Sequence, residues 1–438
     1  MNKQIATIKR WRMQIFAITW LAYAAFYFTR KAFSVAKLGI GEDPAFHLDK
    51  MAMANLDAIY LTAYAVGQFT WGMLADRFGP RVVVLGGLVI SALAAVAMGS
   101  YATFPIFATC MLIQGLAQST GWSGLCKNIG SFFPAQQRGR VLGLWSSCYA
   151  FGGLVASPFA GWWAYTAIGN WQAAFISSAA VVGVVAVLFF IFQRNKPEDV
   201  GLPAVEPEPE PVGGASTLCS VWAPLREILR NRTVLTLGLA YFMLKPARYA
   251  ILLWGPVIVF EQMPSVGKVG AAIIPTAFEL AGLLGPIMIG LASDKIFGAR
   301  RMPACVLSLL ALTLSLAFFM GALHSGSVIL VVALLFVMGL TLYGPDSMIS
   351  GAAAIDFGTA KAGATAAGFV NGCGSVGAIL GGLLPGYFDT VTVFFVFAGC
   401  ALFSALVLVP HWNSRPVTIT DGSATVPNQA IAVTPLRT

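Results

Sequence analysis

Apolar residues fall in long blocks separated by short polar breaks along the whole chain. Crossing a hydrocarbon layer roughly 30 Å thick takes about 20 apolar residues per helix. Twelve blocks reach that length, at about 14–36, 54–75, 81–101, 103–127, 141–164, 171–193, 233–260, 269–292, 302–323, 326–350, 362–386 and 391–411. The pattern predicts an all-α polytopic membrane protein with twelve transmembrane helices. One break is longer than the rest. Residues 194–232 contain KPEDVGLPAVEPEPEPVGG, too rich in Pro and Glu for a buried helix and expected to be an extended, solvated cytoplasmic linker. It divides the chain into six-helix bundles at 1–193 and 233–411, followed by a polar, flexible cytoplasmic tail at 412–438.

The two bundles repeat one another. Aligning GMLADRFG (72–79) with GLASDKIFG (290–298) matches Gly72 to Gly290 and Asp76 to Asp294, a shift of 218 that also carries Arg30 onto Arg248. Parallel halves related by an axis along the membrane normal place such equivalent residues across a central cavity.

Composition agrees with the membrane reading. The chain is 58% hydrophobic and 10% charged, where soluble proteins run near a quarter charged. If both termini are cytoplasmic, nineteen Lys and Arg residues fall on that side and three, Lys37, Lys50 and Lys268, on the other. That bias fits the positive-inside rule, and it accounts for most of the +9 net charge without a nucleic-acid partner. The expected location is a bacterial inner membrane with both termini inside. MNKQIATIKRWR leads directly into a span with no small-residue cleavage site, so the first helix is expected to serve as its own targeting signal. The seven cysteines are scattered and lack any Cys-x-x-Cys, so they read as packing residues and call for no disulfide or metal.

Five basic residues remain within or at the ends of spans: Arg30, Lys31, Lys127, Lys245 and Arg248. The acids there are Glu279, Asp346 and Asp57, which leaves a positive surplus of about two charges. Such a surplus calls for an anion. Arg30 and Lys31 lie a few residues before Lys37, so snorkelling to the outer surface competes with an internal role for them. Arg248 is followed by YAILLWGPVIVF, roughly 18 Å of helix, too far to reach water except through a cavity. Guanidinium stays charged when desolvated and donates in pairs to carboxylate or phosphate. Two of them facing each other suit a tetrahedral dianion.

The stretches YAAFYFTRK (23–31), GLAQSTGWSGLCK (115–127), RGRVLGLWSSCYAFGG (138–153), NKPEDVGL (195–202), RYAILLW (248–254), FELAG (278–282), LYGP (342–345) and AGATAAGF (362–369) span both halves. Through them the chain resembles the organophosphate:phosphate antiporters of the major facilitator superfamily, the glycerol-3-phosphate and hexose-6-phosphate transporters among them. The resemblance implies the major facilitator fold. It also implies exchange of an organophosphate for inorganic phosphate by rocker-switch alternating access, in a monomer. It matches Arg30 and Arg248 to the arginines that grip the phosphoryl group, and Lys31 to the lysine beside the first. Tyr23, Tyr27 and Tyr343 fall at cavity tyrosines, and Glu279 at a carboxylate that pairs with cavity lysines. Gln68 stands where many members have lysine, Leu253 where an aspartate follows the seventh-helix arginine, and Tyr149 and Lys245 where the glycerol-3-phosphate carrier has histidine and tyrosine, which leaves the organic part of the cargo open. Asp76, Arg77 and Asp294 of the repeated motif are expected to act in conformational change, and Asp346 with Lys127 to form a gate pair near the cytoplasmic ends of their spans.

Other matches carry less. GCGSVG (372–377) fits a nucleotide fingerprint but follows no strand, so its glycines read as helix-packing positions. No P-loop lysine is present, the spans hold no histidine short of His411 at the end of the last and no nucleophile–base pair, and neither cofactor nor enzymatic role is expected. Asn231-Arg-Thr fits a glycosylation site but falls on the cytoplasmic side. Two rival functions stay open: a membrane sensor for a sugar phosphate, and a proton-coupled organic-anion symporter with Glu279 as the titrating group.

Overall fold

The computed structural model describes residues 2–203, 205, 229–298, 300–353 and 363–414. The first half comprises α1 (Asn2–Ile40), α2 (Lys50–Phe78), α3 (Pro80–Ser100), α4 (Phe104–Phe132), α5 (Ala135–Trp145), α6 (Ser147–Trp162) and α7 (Gln172–Phe192). The second comprises α8 (Arg232–Gln262), α9 (Gly267–Ile273), α10 (Thr276–Leu291), α11 (Arg301–His324), α12 (Val328–Ser347), α13 (Gly363–Tyr387) and α14 (Thr390–Leu408). They make twelve spans, because α5 with α6 and α9 with α10 are each one span broken in its course, at Ser146 and before Pro275. No strand occurs among the described residues.

By length and composition, eight helical stretches among the described residues are apolar enough to cross a membrane. They are the third and sixth spans and all six of the second half. The others fall short for a physical reason. α1, α2 and α4 carry Tyr23, Tyr27, Arg30, Lys31, Asp57, Tyr60, Tyr64, Gln114 and Gln118 on their inward faces, and the fifth span is split. Large apolar side chains such as Leu93, Val184, Leu314 and Phe318 stand exposed on the outside, as a lipid-facing surface requires.

The internal repeat is visible in the packing. A Cβ at Gly115 on α4 would meet the Tyr60 carbonyl oxygen at 2.3 Å and the Ala63 Cβ at 2.7 Å, so α2 and α4 touch backbone to backbone. In the second half a Cβ at Gly339 on α12 would meet the Phe278 carbonyl at 2.4 Å and the Ala281 Cβ at 2.6 Å. Phe278 and Ala281 lie 218 positions after Tyr60 and Ala63. Likewise Gly152 on α6 closes on the Ala24 carbonyl, and Gly377 on α13 closes on that of Phe242, again 218 positions on. Gly374 sits against Tyr241 and Lys245 in the same way, so Gly374 and Gly377 of GCGSVG pack α13 on α8.

The halves meet at the end remote from the chain termini. Gly382 and Gly386 of α13 lie against Asp57, Leu61 and Ala54 of α2. Gly153 and Gly161 of α6 lie against Glu279 and Ala272. Around the rim, Lys50 pairs with Glu261 at 2.7 Å, Lys268 with Glu42 at 2.6 Å, and Tyr387 donates to Asn55 at 2.8 Å. Beside this rim the Trp171 indole donates to Asp43 at 2.7 Å and holds that carboxyl below the usual carboxylate range.

The start of the expected linker is more ordered than its composition suggests. Pro197 is buried in a 3₁₀ turn at Pro197–Val200, Asn128 donates to the carbonyls of Arg194 and Asn195 at 2.8 and 2.9 Å, and Asn195 Oδ1 accepts from the Arg81 backbone at 2.8 Å. Asn and Asp side chains satisfy these loop backbones where no helix does. The Glu-Pro run beyond, and the tail from 415, lie outside the described residues. Asn231 is a helix cap: its side chain accepts from the backbones of Thr233 and Val234 at the start of α8.

Because a Cβ at Gly377 would stand 2.1 Å from the Phe242 carbonyl, Gly377→Val overpacks the α8–α13 contact and should destabilise the protein by about 1–3 kcal/mol. Gly290→Ala, where nothing lies within 4 Å, should be neutral or slightly stabilising. Thermal unfolding of the two variants purified in detergent checks the contrast.

Candidate functional site

Arg30 lies in the last third of α1, facing inward and 4% exposed. Its Nε donates to Gln118 Oε1 of α4 at 3.0 Å. Gln118 is itself fixed: its Oε1 also accepts from the Tyr60 hydroxyl at 2.7 Å, and its Nε2 reaches Thr29 Oγ1 at 3.2 Å and Ser91 Oγ at 3.3 Å. Three tyrosine faces surround the guanidinium, Tyr27, Tyr64 and Tyr60 at 4.5, 5.0 and 6.0 Å from ring centre to Cζ. Ring faces are electron-rich and stabilise a desolvated cation without neutralising it. Among the described residues no carboxylate lies within ion-pair distance of Arg30, and its Nη2 has no hydrogen-bond partner.

Arg248 occupies the equivalent place on α8, one turn after Lys245. Its Nη1 meets Asp346 Oδ2 at 2.9 Å, and Lys245 Nζ meets Asp346 Oδ1 at 3.0 Å. The stacked rings of Tyr343 and Tyr149 cover its Cζ at 4.6 and 5.1 Å. Tyr149 comes from α6, so a residue of the first half lids a cation of the second. The Arg248 Nε is buried without a partner. A chain of contacts links the two guanidiniums: Arg248 lies under the Tyr343 ring, the Tyr343 hydroxyl donates to Glu279, and Glu279 pairs with Lys31, the neighbour of Arg30, so both border one shared space between the halves.

Lys31 joins that space to the seal between the halves. Its Nζ lies 3.3 Å from Glu279 Oε1 and donates to the Leu252 carbonyl at 2.9 Å. Glu279 in turn accepts from the Tyr343 hydroxyl at 2.5 Å. The Leu252 carbonyl is free to accept because its helical partner four residues on is Pro256, which has no N–H. Ser34 Oγ donates to the same oxygen at 3.3 Å. One turn further along α1, Lys37 pairs with Asp57, donates to the Leu253 carbonyl at 3.2 Å and lies 3.8 Å over the Trp254 ring. Trp254 donates to the Gly382 carbonyl at 2.9 Å, drawing in α13.

These positions correct several expectations. Arg30 and Lys31 do not snorkel; their partners are internal. Lys37, expected on the outer surface, is 2% exposed, because Asp57 on the facing helix supplies the counter-charge that lets an ammonium be buried. Asp346 does not pair with Lys127 in this conformation. It faces Lys245 and Arg248, the two cations one turn apart on α8, while Lys127 is exposed on α4. Tyr23 packs on Tyr27, Trp122 and Trp145, one ring away from Arg30. Gln68 is half-buried on α2, a turn beyond Tyr64, and makes no hydrogen bond to this cluster among the described residues. Asp294 pairs with Arg301 at 2.6 Å and Arg77 is exposed beside Phe78. The Asp76 side chain lies outside those described. Gln118, Tyr60, Tyr64 and the Lys37–Asp57 pair were not singled out from the sequence. Gln114 and Gln118, four residues apart in an apolar run, were the available signal for a polar inward stripe.

Comparisons with known proteins agree with this architecture. The profile of the family described as "Major Facilitator Superfamily" matches residues 19–345. A "Probable hexose phosphate transport protein" of Chlamydia trachomatis serovar D is 27% identical over 427 residues, covering 93% of this chain and 92% of its own. The glucose-6-phosphate exchanger of Mus musculus is 26% identical over 460 residues, covering 90% of each. Among solved structures, that of a D-xylose–proton symporter superposes with a TM-score of 0.71 at 14% identity, over 92% of this chain and 98% of the other.

Removing one member of a buried ion pair strands the other and costs about 3–5 kcal/mol. Lys37→Met and Asp57→Asn should each destabilise the protein by that order, and the double variant by much less than the sum. Thermal unfolding of the set checks it; single variants as stable as the parent would mean that water reaches the pair.

Proposed function

The chain belongs to the Major Facilitator Superfamily, and we propose that it exchanges a phosphate monoester for inorganic phosphate across a bacterial inner membrane, gripping the phosphoryl group between Arg30 and Arg248. The observation that carries this reading is a pair of buried guanidiniums, one in each half, that each keep an unpartnered nitrogen, Arg30 Nη2 and Arg248 Nε. Buried N–H groups are normally bonded, and phosphate oxygens are strong acceptors for such donors. The names of the hexose phosphate and glucose-6-phosphate relatives support the same class of cargo.

The mechanism follows from charge. Arg30 and the Arg248 cluster repel each other while the site is empty, and a dianion between them cancels that repulsion and lets the halves close on it. Cargo also competes for Lys31. As Lys31 turns toward a phosphate oxygen it leaves the Leu252 carbonyl, a contact to the second half, while keeping Glu279 as its counter-charge. Loading the site thus loosens the seal at the end remote from the termini, and the halves rock to open there. With both termini cytoplasmic, that end faces outward, and the conformation described is closed to the outside. An empty site lacks the neutralising charge for the crossing, so movement is tied to exchange. The working unit is a monomer, since both arginines come from one chain.

Reconstituted into phosphate-loaded liposomes, the protein should take up labelled phosphate. Arg30→Ala and Arg248→Ala should each weaken apparent affinity by about tenfold or more, as loss of a charged hydrogen bond worth about 1.5–3 kcal/mol predicts. Glu279→Gln should alter turnover more than affinity, because it frees Lys31 from its partner across the seal. Undiminished exchange after replacement of both arginines would reject the mechanism.

A further inference from the structure

Buried charge in the described residues amounts to five cations, Arg30, Lys31, Lys37, Lys245 and Arg248, and three carboxylates, Asp57, Glu279 and Asp346. Lys37 and Asp57 answer each other within the seal. Lys31 and Glu279 do the same at the edge of the site. What faces the shared space is therefore Arg30, without an acid, and the group of Lys245, Arg248 and Asp346, which sums to one positive charge. The site as a whole carries two positive charges, enough for one phosphate dianion and no more.

We propose that Asp346 is a specificity-determining residue that cancels Lys245 and so restricts the cargo to phosphate monoesters with an uncharged organic group. This rests on the phosphate-exchange reading above. Lys245 stands one turn from Arg248, where a free ammonium would be well placed for a second anionic group on the cargo. Its Nζ is instead held 3.0 Å from Asp346 Oδ1, with Tyr241 and Tyr249 rings at 4.7 and 5.8 Å. A cargo bearing a carboxylate besides its phosphate finds no unpaired cation for it. A cargo bearing an ammonium fares no better. Asp346 is taken by Lys245 and Arg248, and Glu279 by Lys31 and by the Tyr343 hydroxyl. Either charge would enter a low-dielectric space unanswered, and discrimination arises from that penalty. The rest of the lining offers phenols, Tyr27 and Tyr149 over the arginines and Tyr249 beside Lys245, which suit the hydroxyls of a polyol.

The test is competition against labelled phosphate uptake into phosphate-loaded liposomes, with glycerol-3-phosphate, glucose-6-phosphate, 3-phosphoglycerate and phosphoethanolamine as competitors. The parent should bind at least one of the first two with an inhibition constant at least tenfold lower than either of the last two. Asp346→Asn releases Lys245 and should lower the constant for 3-phosphoglycerate relative to the uncharged esters by at least tenfold. Lys245→Gln releases one Asp346 oxygen and should lower the constant for phosphoethanolamine relative to 3-phosphoglycerate. The two variants change charge in opposite senses, so a folding defect in one leaves the other decisive, and the parent's own ranking stands apart from both. A parent that exchanges phosphate but accepts 3-phosphoglycerate or phosphoethanolamine as well as the uncharged esters overturns this inference alone, as do variants whose rankings match the parent's. A parent that exchanges no phosphate at all overturns the proposed function instead.

Discussion

A charge held inside the hydrocarbon layer must be answered, either by an opposite charge or by a ligand. Leaving one unanswered costs somewhere between about 3 and 10 or more kcal/mol. The buried ion pairs of this protein follow from that requirement. Lys37 has Asp57, Lys31 has Glu279, and Lys245 and Arg248 share Asp346. Arg30 is the exception among the described residues, tolerated by a neutral amide and three aromatic faces that lower its cost without cancelling its sign. The same arithmetic that makes the empty site unfavourable makes an anion welcome in it.

The two halves solve one problem in different ways. In both, glycines close on carbonyls that lie 218 positions apart, and each presents an arginine at the equivalent position of its first helix. Around those arginines the chemistry diverges. The first half surrounds Arg30 with amide and phenol groups and, among the described residues, no carboxylate. The second surrounds Arg248 with a carboxylate that sets the total charge. In the exchange proposed above, symmetry of fold positions the grip and asymmetry of partners tunes what it accepts.

Span number, the internal repeat and the two arginines were legible in the sequence because each is a local signal: a run of apolar residues, a recurring motif, a charge where none belongs. Partnerships were less so. Glu279 reached Lys31 as the family resemblance implies, yet Asp346 was assigned to Lys127, since depth along a helix says little about which neighbour a side chain meets. Lys37 was counted as a surface residue because its position near the end of a span is the same whether it points out or in; only Asp57 on the facing helix decides it. The break of the fifth span at Ser146 was likewise silent, as an apolar run continues through it.

Pro256 gives this seal a property that ordinary helix contacts lack. By withholding its N–H it leaves the Leu252 carbonyl outside the hydrogen-bond ladder of α8, so Lys31 and Ser34 take up an acceptor that no intrahelical donor was using. Parting from it therefore unravels nothing: both helices keep their own bonds, and water or the next loaded cycle can occupy the vacant lone pairs. A clasp made on a spare acceptor is one that a machine working thousands of times can fasten and undo without wear to its own framework.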